Sequence, residues 1–420
     1  MRLSFSIREQ GHVRAPRIRG LPIEPSAHNW WEAFDQLERV LSQQEAIRDE
    51  GSGKRVVFID ELPWLDAPRS DFLSAFELFW NMWGSTQRDL LLIVCGSATS
   101  WIVKNLFKNR GGLHNSVTAR IHLMPLTLGE CEQYFRINGP TLDRRQVLES
   151  YMVFGGIPYY MDLMHRRLGI VQNVDRLCFA QNAPLRDEFD ELYRSLFRKA
   201  TNHIAVVRAL AKRGSGLSRD EVATQSGVSN GGMLSEVLNE LEACRFVRKY
   251  QPFGGKSNGA LYQLVDPFTL FYLKFMEGST DEHYWSLAYT SPRVAGWRGY
   301  AFELVCLLHV PQIRKSLGIN VILADVSSWR GHSGERGAQV DLVIDRADGI
   351  VNLCEMKWSS AEYAITKAYD QSLHGKVQVF MEATRTRKAP QLTLVTPFGL
   401  ADNAYRHNVQ AEVTAEDLFD

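Results

Sequence analysis

The chain has 420 residues, enough for about two to four domains. With 45% apolar and 23% charged residues its composition is that of a soluble globular protein. Lys plus Arg and Asp plus Glu both number 48, a zero formal charge that excludes a uniformly cationic nucleic-acid coat but leaves room for a local basic face.

Residues 1–28 show no clear period and read as irregular. Trp30, Phe34, Leu37 and Leu41 follow helical spacing and predict an amphipathic helix over 29–47, broken by "DEGSGK". Residues 55–59 predict a buried strand, Phe72, Phe76, Phe79 and Trp83 a helix, and "DLLLIVCGSA" a second buried strand. Two all-apolar strands around a helix imply a parallel α/β sheet. A largely helical stretch follows from "MPLTLGECEQYF" to about 195. From about 198, three helices and a hairpin predict a winged helix-turn-helix, with Ser218 and Glu221 in capping-box spacing. A helix from "GYAFELV", three strands, a helix and another strand then predict a last α/β unit. Six scattered cysteines (95, 131, 178, 244, 306, 354) lack a C-x-x-C pair, so they read as single thiols of a reducing compartment. No apolar run approaches the roughly 18 residues of a membrane span. The basic N-terminus has no apolar signal core, so a cytoplasmic protein without a membrane partner is expected.

Two constellations carry chemistry. In "VVFIDELPWLD" (56–66) a buried strand ends in Asp60 and Glu61. The first carboxylate can orient Mg²⁺ and the second can polarise a water for attack on a γ-phosphate. Ser97, at the end of the next strand, would sit beside them and touch that phosphate. The plain alternative is a strand end with two surface acids. Towards the C-terminus, Asp341 lies on one strand and Glu355-Met356-Lys357 on the next. Residues i and i+2 of a strand share a face, so Glu355 and Lys357 point together and Met356 points into the core. Gln339 shares the parity of Asp341, and Glu303 on the preceding helix can add a carboxylate. Carboxylates that hold Mg²⁺ and a lysine that orients or deprotonates water suit phosphodiester hydrolysis. The plain alternative is a buried ion pair of Lys357 with Asp341 or Glu355.

The segments "FIDELPWLD", "LLLIVCGSATSWI", "GGLHNSVTARIHLMPLTLGE" and "VFGGIPYYMDL" resemble the prokaryotic ATPases of archaeal type, AAA+/STAND-related P-loop proteins with a winged helix and a C-terminal restriction-endonuclease-like domain. The resemblance implies an α/β multidomain chain. Its parts would be a partial P-loop ATPase core (1–125) holding the Walker B and sensor strands, a helical lid (126–197), a winged helix (198–277) and a PD-(D/E)XK nuclease-like domain (290–420). It further implies ATP and Mg²⁺ as cofactors, DNA as partner and assembly into a homo-oligomer. Asp60 and Ser97 would contact the nucleotide, and Asp60, Asp341 and Glu355 the metal. "QVD" and "EMK" stand for the nuclease motif, with Glu303, Asp341, Glu355 and Lys357 as its catalytic set.

Two departures stand out. No G-x-x-x-x-G-K-[ST] loop occurs in the 420 residues. "GSGKRV" (51–56) runs straight into a strand, and "GGKSNG" (254–259) lies at the hairpin tip. Ser116 stands where the resemblance places an arginine finger, with Arg110 and Arg120 as substitutes. The third winged-helix segment, "SNGGMLSEV", offers no Arg or Lys to read guanine. Lys212, Arg213, Arg219, Arg245, Arg248, Lys249 and Lys256 around it could hold phosphates without reading sequence. A protein-contact role for this module is the alternative.

Overall fold

The computed structural model describes residues 2–3, 27–43, 51–67, 69–96, 99–102, 105–106, 113, 116–197, 199–254 and 259–420 of a mixed α/β chain. It divides into two units, Met1–His122 and Leu123–Asp420.

The first unit holds a parallel sheet in the order β1 (Arg2–Leu3), β2 (Arg55–Ile59), β3 (Leu90–Val94). The short β1 lies in a stretch that the sequence leaves irregular; two residues without a period give no signal. One face of the sheet is closed by the helices Trp30–Ser42 and Phe72–Met82. Asn29 caps the first by accepting from the Glu32 amide at 2.9 Å. Their rings interlock, with Trp30 edge-on to Phe72 at 4.8 Å and Phe34 stacked on Phe79 at 5.2 Å. Val57 and Ile59 are fully buried, but Leu91 and Ile93 of β3 stay exposed. The expectation of a second buried strand is therefore corrected: described helices cover only one face. Arg55 anchors the start of β2. Its buried guanidinium meets Asp89 at 2.5 and 2.9 Å and also reaches the Leu41 carbonyl.

The second unit begins with helices Leu128–Asn138 and Arg144–Phe154, each opened by a capping box, Thr127 with Glu130 and Asp143 with Gln146. Gly156 lies against the strand-like approach to the first. Leu126 donates to its carbonyl at 2.8 Å, and a Cβ there would stand 1.9 Å from the Leu126 oxygen. Only glycine fits so close a backbone contact.

Next come helices Ala200–Ala211, Arg219–Ser226 and Gly232–Ala243 with β4 (Leu217–Ser218), β5 (Val247–Tyr250) and β6 (Leu261–Leu264). The strands pair antiparallel in the order β4-β6-β5. The Ser218–Glu221 capping box forms, at 2.8 and 3.3 Å.

Helix Pro292–Leu308 leads into a five-stranded mixed sheet. Its strands are β7 (Ala324–Ser333), β8 (Arg336–Arg346), β9 (Ile350–Met356), β10 (Ala389–Thr396) and β11 (Ala411–Thr414), in the order β11-β10-β9-β8-β7. β7, β8 and β9 run antiparallel, and β9, β10 and β11 parallel. Leu342, Ile344, Cys354 and Met356 join a core shared with helix Pro292–Leu308 and the helices of 128–185. The other face, with Val343 and Leu353, packs on Phe380 of helix Lys367–Thr384. His309 fastens the shared core. It accepts from the Leu128 amide through Nε2 at 3.0 Å and donates to the Val305 carbonyl through Nδ1 at 2.8 Å. Among the described residues no helix is long and apolar enough to cross a membrane.

Candidate functional site

The two acidic constellations have different surroundings. At the carboxyl end of β2, Asp60 is half-buried. Its Oδ1 accepts from the Cys95 thiol at 2.8 Å and from the Glu61 amide at 3.1 Å. The strand tips are laced together, Cys95 donating to the Ile59 carbonyl at 3.0 Å and Leu62 to that of Cys95 at 2.9 Å. Burial first, and Asp60 second, push the Cys95 thiol up to about 11. Glu61 is exposed and turns the chain with φ 50°, a left-handed conformation uncommon for a side-chain-bearing residue, into the one-turn helix Leu62–Leu65. Ser97 and Arg110 lie outside the described residues, as does Lys256; Arg120 is exposed.

In the C-terminal sheet, the pairing of β8 with β9 ends at Leu342 opposite Cys354, one residue from Asp341 and from Glu355. The Asp341 Oδ2 lies 3.5 Å from the Met356 amide. Glu355 shares the face of Leu353, under helix Lys367–Thr384, while Asp341 lies where the pairing of β8 with β7 shifts register between Val340 and Val343. Met356 turns to the opposite core. Glu355 is only 2% exposed. Its Oε2 accepts from Lys376 of that helix at 2.6 Å, while its Oε1 is buried with no hydrogen-bond partner. Lys357 stands just past the strand over the Tyr369 ring, 5.3 Å from its centroid. The alternative of an ion pair between Lys357 and Glu355 is thus corrected: Lys376 is the counter-ion. The sequence gives no hint of this, because which residue of a distant helix faces a strand is a matter of tertiary packing.

Three carboxyls crowd here. Burial, and then the Asp341 charge, push Glu303 up to about 8 and Glu355 up to about 7; burial also raises Asp341. Among the described residues no group of three or more His, Cys, Asp and Glu side chains is drawn together tightly enough to hold a metal ion. Two carboxylates and several waters satisfy Mg²⁺, however. Asp341 with the unpartnered Oε1 of Glu355 fits that donor set.

The sequence suggests Arg248 as a phosphate holder at the rim. It instead turns inward from β5, towards Glu303. Its Nε donates to Gln263 Oε1 at 2.6 Å and its guanidinium lies over the Tyr250 ring at 4.5 Å. Arg213 pairs with Glu221 at 2.6 Å, and Arg219 donates to Asn230 and the Gly231 carbonyl, both at 2.8 Å. The open side of helix Gly232–Ala243 carries Met233, Glu236 and Asn239 and no base.

No family model matches the chain, and no curated protein matches it in sequence. Among solved structures, the chain is similar to the Walker-type ATPase PABY2304 of Pyrococcus abyssi. The identity is 15% and the TM-score 0.40, over 63% of this chain and 81% of that one. It is also similar to the restriction endonuclease FokI, with 12% identity and a TM-score of 0.20, over 52% of this chain and 42% of that one. These are distant likenesses, to an ATPase and to a nuclease.

Proposed function

We propose that the C-terminal sheet carries a Mg²⁺-dependent phosphodiesterase centre acting on DNA. One observation supports this most: a buried, unpartnered carboxylate oxygen of Glu355 near Asp341, in a cluster with Glu303 whose acids are pushed towards protonation. Such a cluster stores electrostatic repulsion that a divalent cation relieves. Asp341 and Glu355 would hold Mg²⁺, which supplies Lewis-acid stabilisation of the phosphate charge. Lys376 holds Glu355 in place. Lys357 would orient the attacking water or take its proton. Glu303, protonated at neutral pH, can donate a hydrogen bond to a phosphate oxygen. The test is Mg²⁺-dependent cleavage of varied DNA substrates by the intact chain and by Lys357→Ala. A loss on the order of 100-fold is expected in the variant. Failure of both proteins to cut any substrate sinks this reading.

A second reading concerns the first unit. Asp60 ends the central strand of a parallel sheet at its carboxyl edge, where open α/β sheets bind ligands. This supports a nucleotide site of the archaeal ATPase type, coupled to DNA processing, with the 199–264 module as its winged helix. Mg²⁺-ATP binding, followed by intrinsic tryptophan fluorescence in the intact protein and in Asp60→Asn, tests it. No saturable change in the intact protein removes it. Given the acids on its outer helix, the module holds DNA by phosphate contacts or serves protein contact, and does not read bases.

A further inference from the structure

The hairpin of the 199–264 module is fastened over the acidic centre. Phe253 donates its amide to the Ser328 carbonyl of edge strand β7 at 2.9 Å, and its ring packs on Phe380 at 5.0 Å. Between hairpin and sheet lies a cleft of about 310 Å³. Asp341 and Glu303 line its floor, Arg248 its hairpin wall with Arg213 from the turn before β4, and the exposed Arg330 and His332 its β7 side. Arg330 pairs in register with Gln339, two residues from Asp341 on the same face, so a cation stands beside the route to the carboxylates.

We infer that this cleft admits a single nucleic-acid strand and excludes a duplex. The inference rests on the hydrolytic reading of the acidic centre. The cavity is at the low end of small-ligand pockets, roughly 300–1,000 Å³, room for about one nucleotide. A base-paired segment reaches Asp341 only by displacing the hairpin, which is held by a backbone hydrogen bond and a buried aromatic contact. A single strand needs only a cationic path for its phosphates and a narrow slot for one unstacked base. Arg330 and His332 supply the path, and the wall of Tyr250 and Arg248 bounds the slot.

The experiment measures fluorescence anisotropy of the full chain with a short labelled DNA strand and with the same sequence as a blunt duplex. Binding is read at fixed salt with the metal chelated, and cleavage is read in parallel with Mg²⁺. The single strand binds at least about tenfold more tightly than the duplex, because only it enters the cleft. Arg330→Glu, an exposed change that leaves the core untouched, weakens single-strand binding by about tenfold and leaves duplex binding unchanged. Equal or tighter duplex binding, no binding of either, or an unaltered Arg330→Glu overturns the inference. A strand that binds with this selectivity but stays uncut upholds the cleft and removes the hydrolytic reading. Cleavage of the duplex alone does the reverse.

Discussion

The pair Asp60 and Glu61 follows the end of β2, the pair Asp341 and Glu355 lies within β8 and β9, and their environments differ. The first follows the central strand of a three-stranded sheet whose described helices cover one face, Asp60 half-buried and Glu61 exposed. The second lies on neighbouring strands of a five-stranded sheet, covered by a helix that delivers Lys376. The surroundings of the second pair drive it towards protonation. Carboxylates acquire unusual chemistry from enclosure, not from adjacency in sequence.

The sharpest way to break this contrast is to remove the counter-ion. Lys376→Met leaves Glu355 buried and unpaired, and is expected to cost about 3 kcal/mol at neutral pH. Urea unfolding measures this, and Glu355→Gln combined with Lys376→Met should recover much of the loss. An unchanged midpoint in Lys376→Met would mean that Glu355 is not held as described. Next is the proposed metal centre: Asp341→Asn should lower Mg²⁺-dependent cleavage on the order of 100-fold while the unfolding midpoint at pH 7 holds or rises, since one buried charge is gone.

The pH dependence separates the regions further. Glu303 and Glu355 have folded-state values raised to about 8 and about 7, above the ordinary 4.5 of a glutamate. Between those values the folded state binds more protons than the unfolded one. The stability these groups contribute is therefore complete below about pH 4.5 and is lost as pH rises towards about 8. Glu303→Gln should flatten that decline, gaining about 2 kcal/mol at pH 8 and nearly nothing at pH 5, as urea midpoints across the range would show. A parallel decline in the variant would contradict the buried cluster. The smallest effect belongs to the first unit. Asp60→Asn removes an acid that holds the Cys95 proton, so site-resolved alkylation of Cys95 at alkaline pH should speed up by about threefold, with little change in stability. An unaltered rate would place the thiol elsewhere.

Much of this contrast could be read from residue order, and some could not. The period-2 rule puts Glu355 on the face of Leu353, and the antiparallel pairing of Leu342 with Cys354 brings the segments that carry the two acids together. The capping boxes at Thr127, Asp143 and Ser218 are likewise local, because each closes within one turn. Lys376 and Arg248 escaped for the opposite reason. Lys376 lies 21 residues from its partner on a helix whose rotation is set by Phe380 and Val379 packing. Arg248 looks like any rim arginine until the hairpin is seen to fold over Glu303. The exposed side of β3 was hidden too, since an apolar run tells how a strand is composed and not how many helices lie on it. β11 has only four residues, "AEVT", and its place is set by parallel pairing with β10.

The bond from Leu128 to His309 has a practical corollary. It ties the first helix after residue 122 to the element that introduces the C-terminal sheet, and it seals an apolar seam in which Met152 and Phe154 share a core with Leu342 and Met356. The C-terminal sheet is therefore not a detachable cassette. A fragment cut to begin near residue 290 would bare that seam to water, so excising or grafting the sheet calls for carrying the helices from Leu126 onward with it.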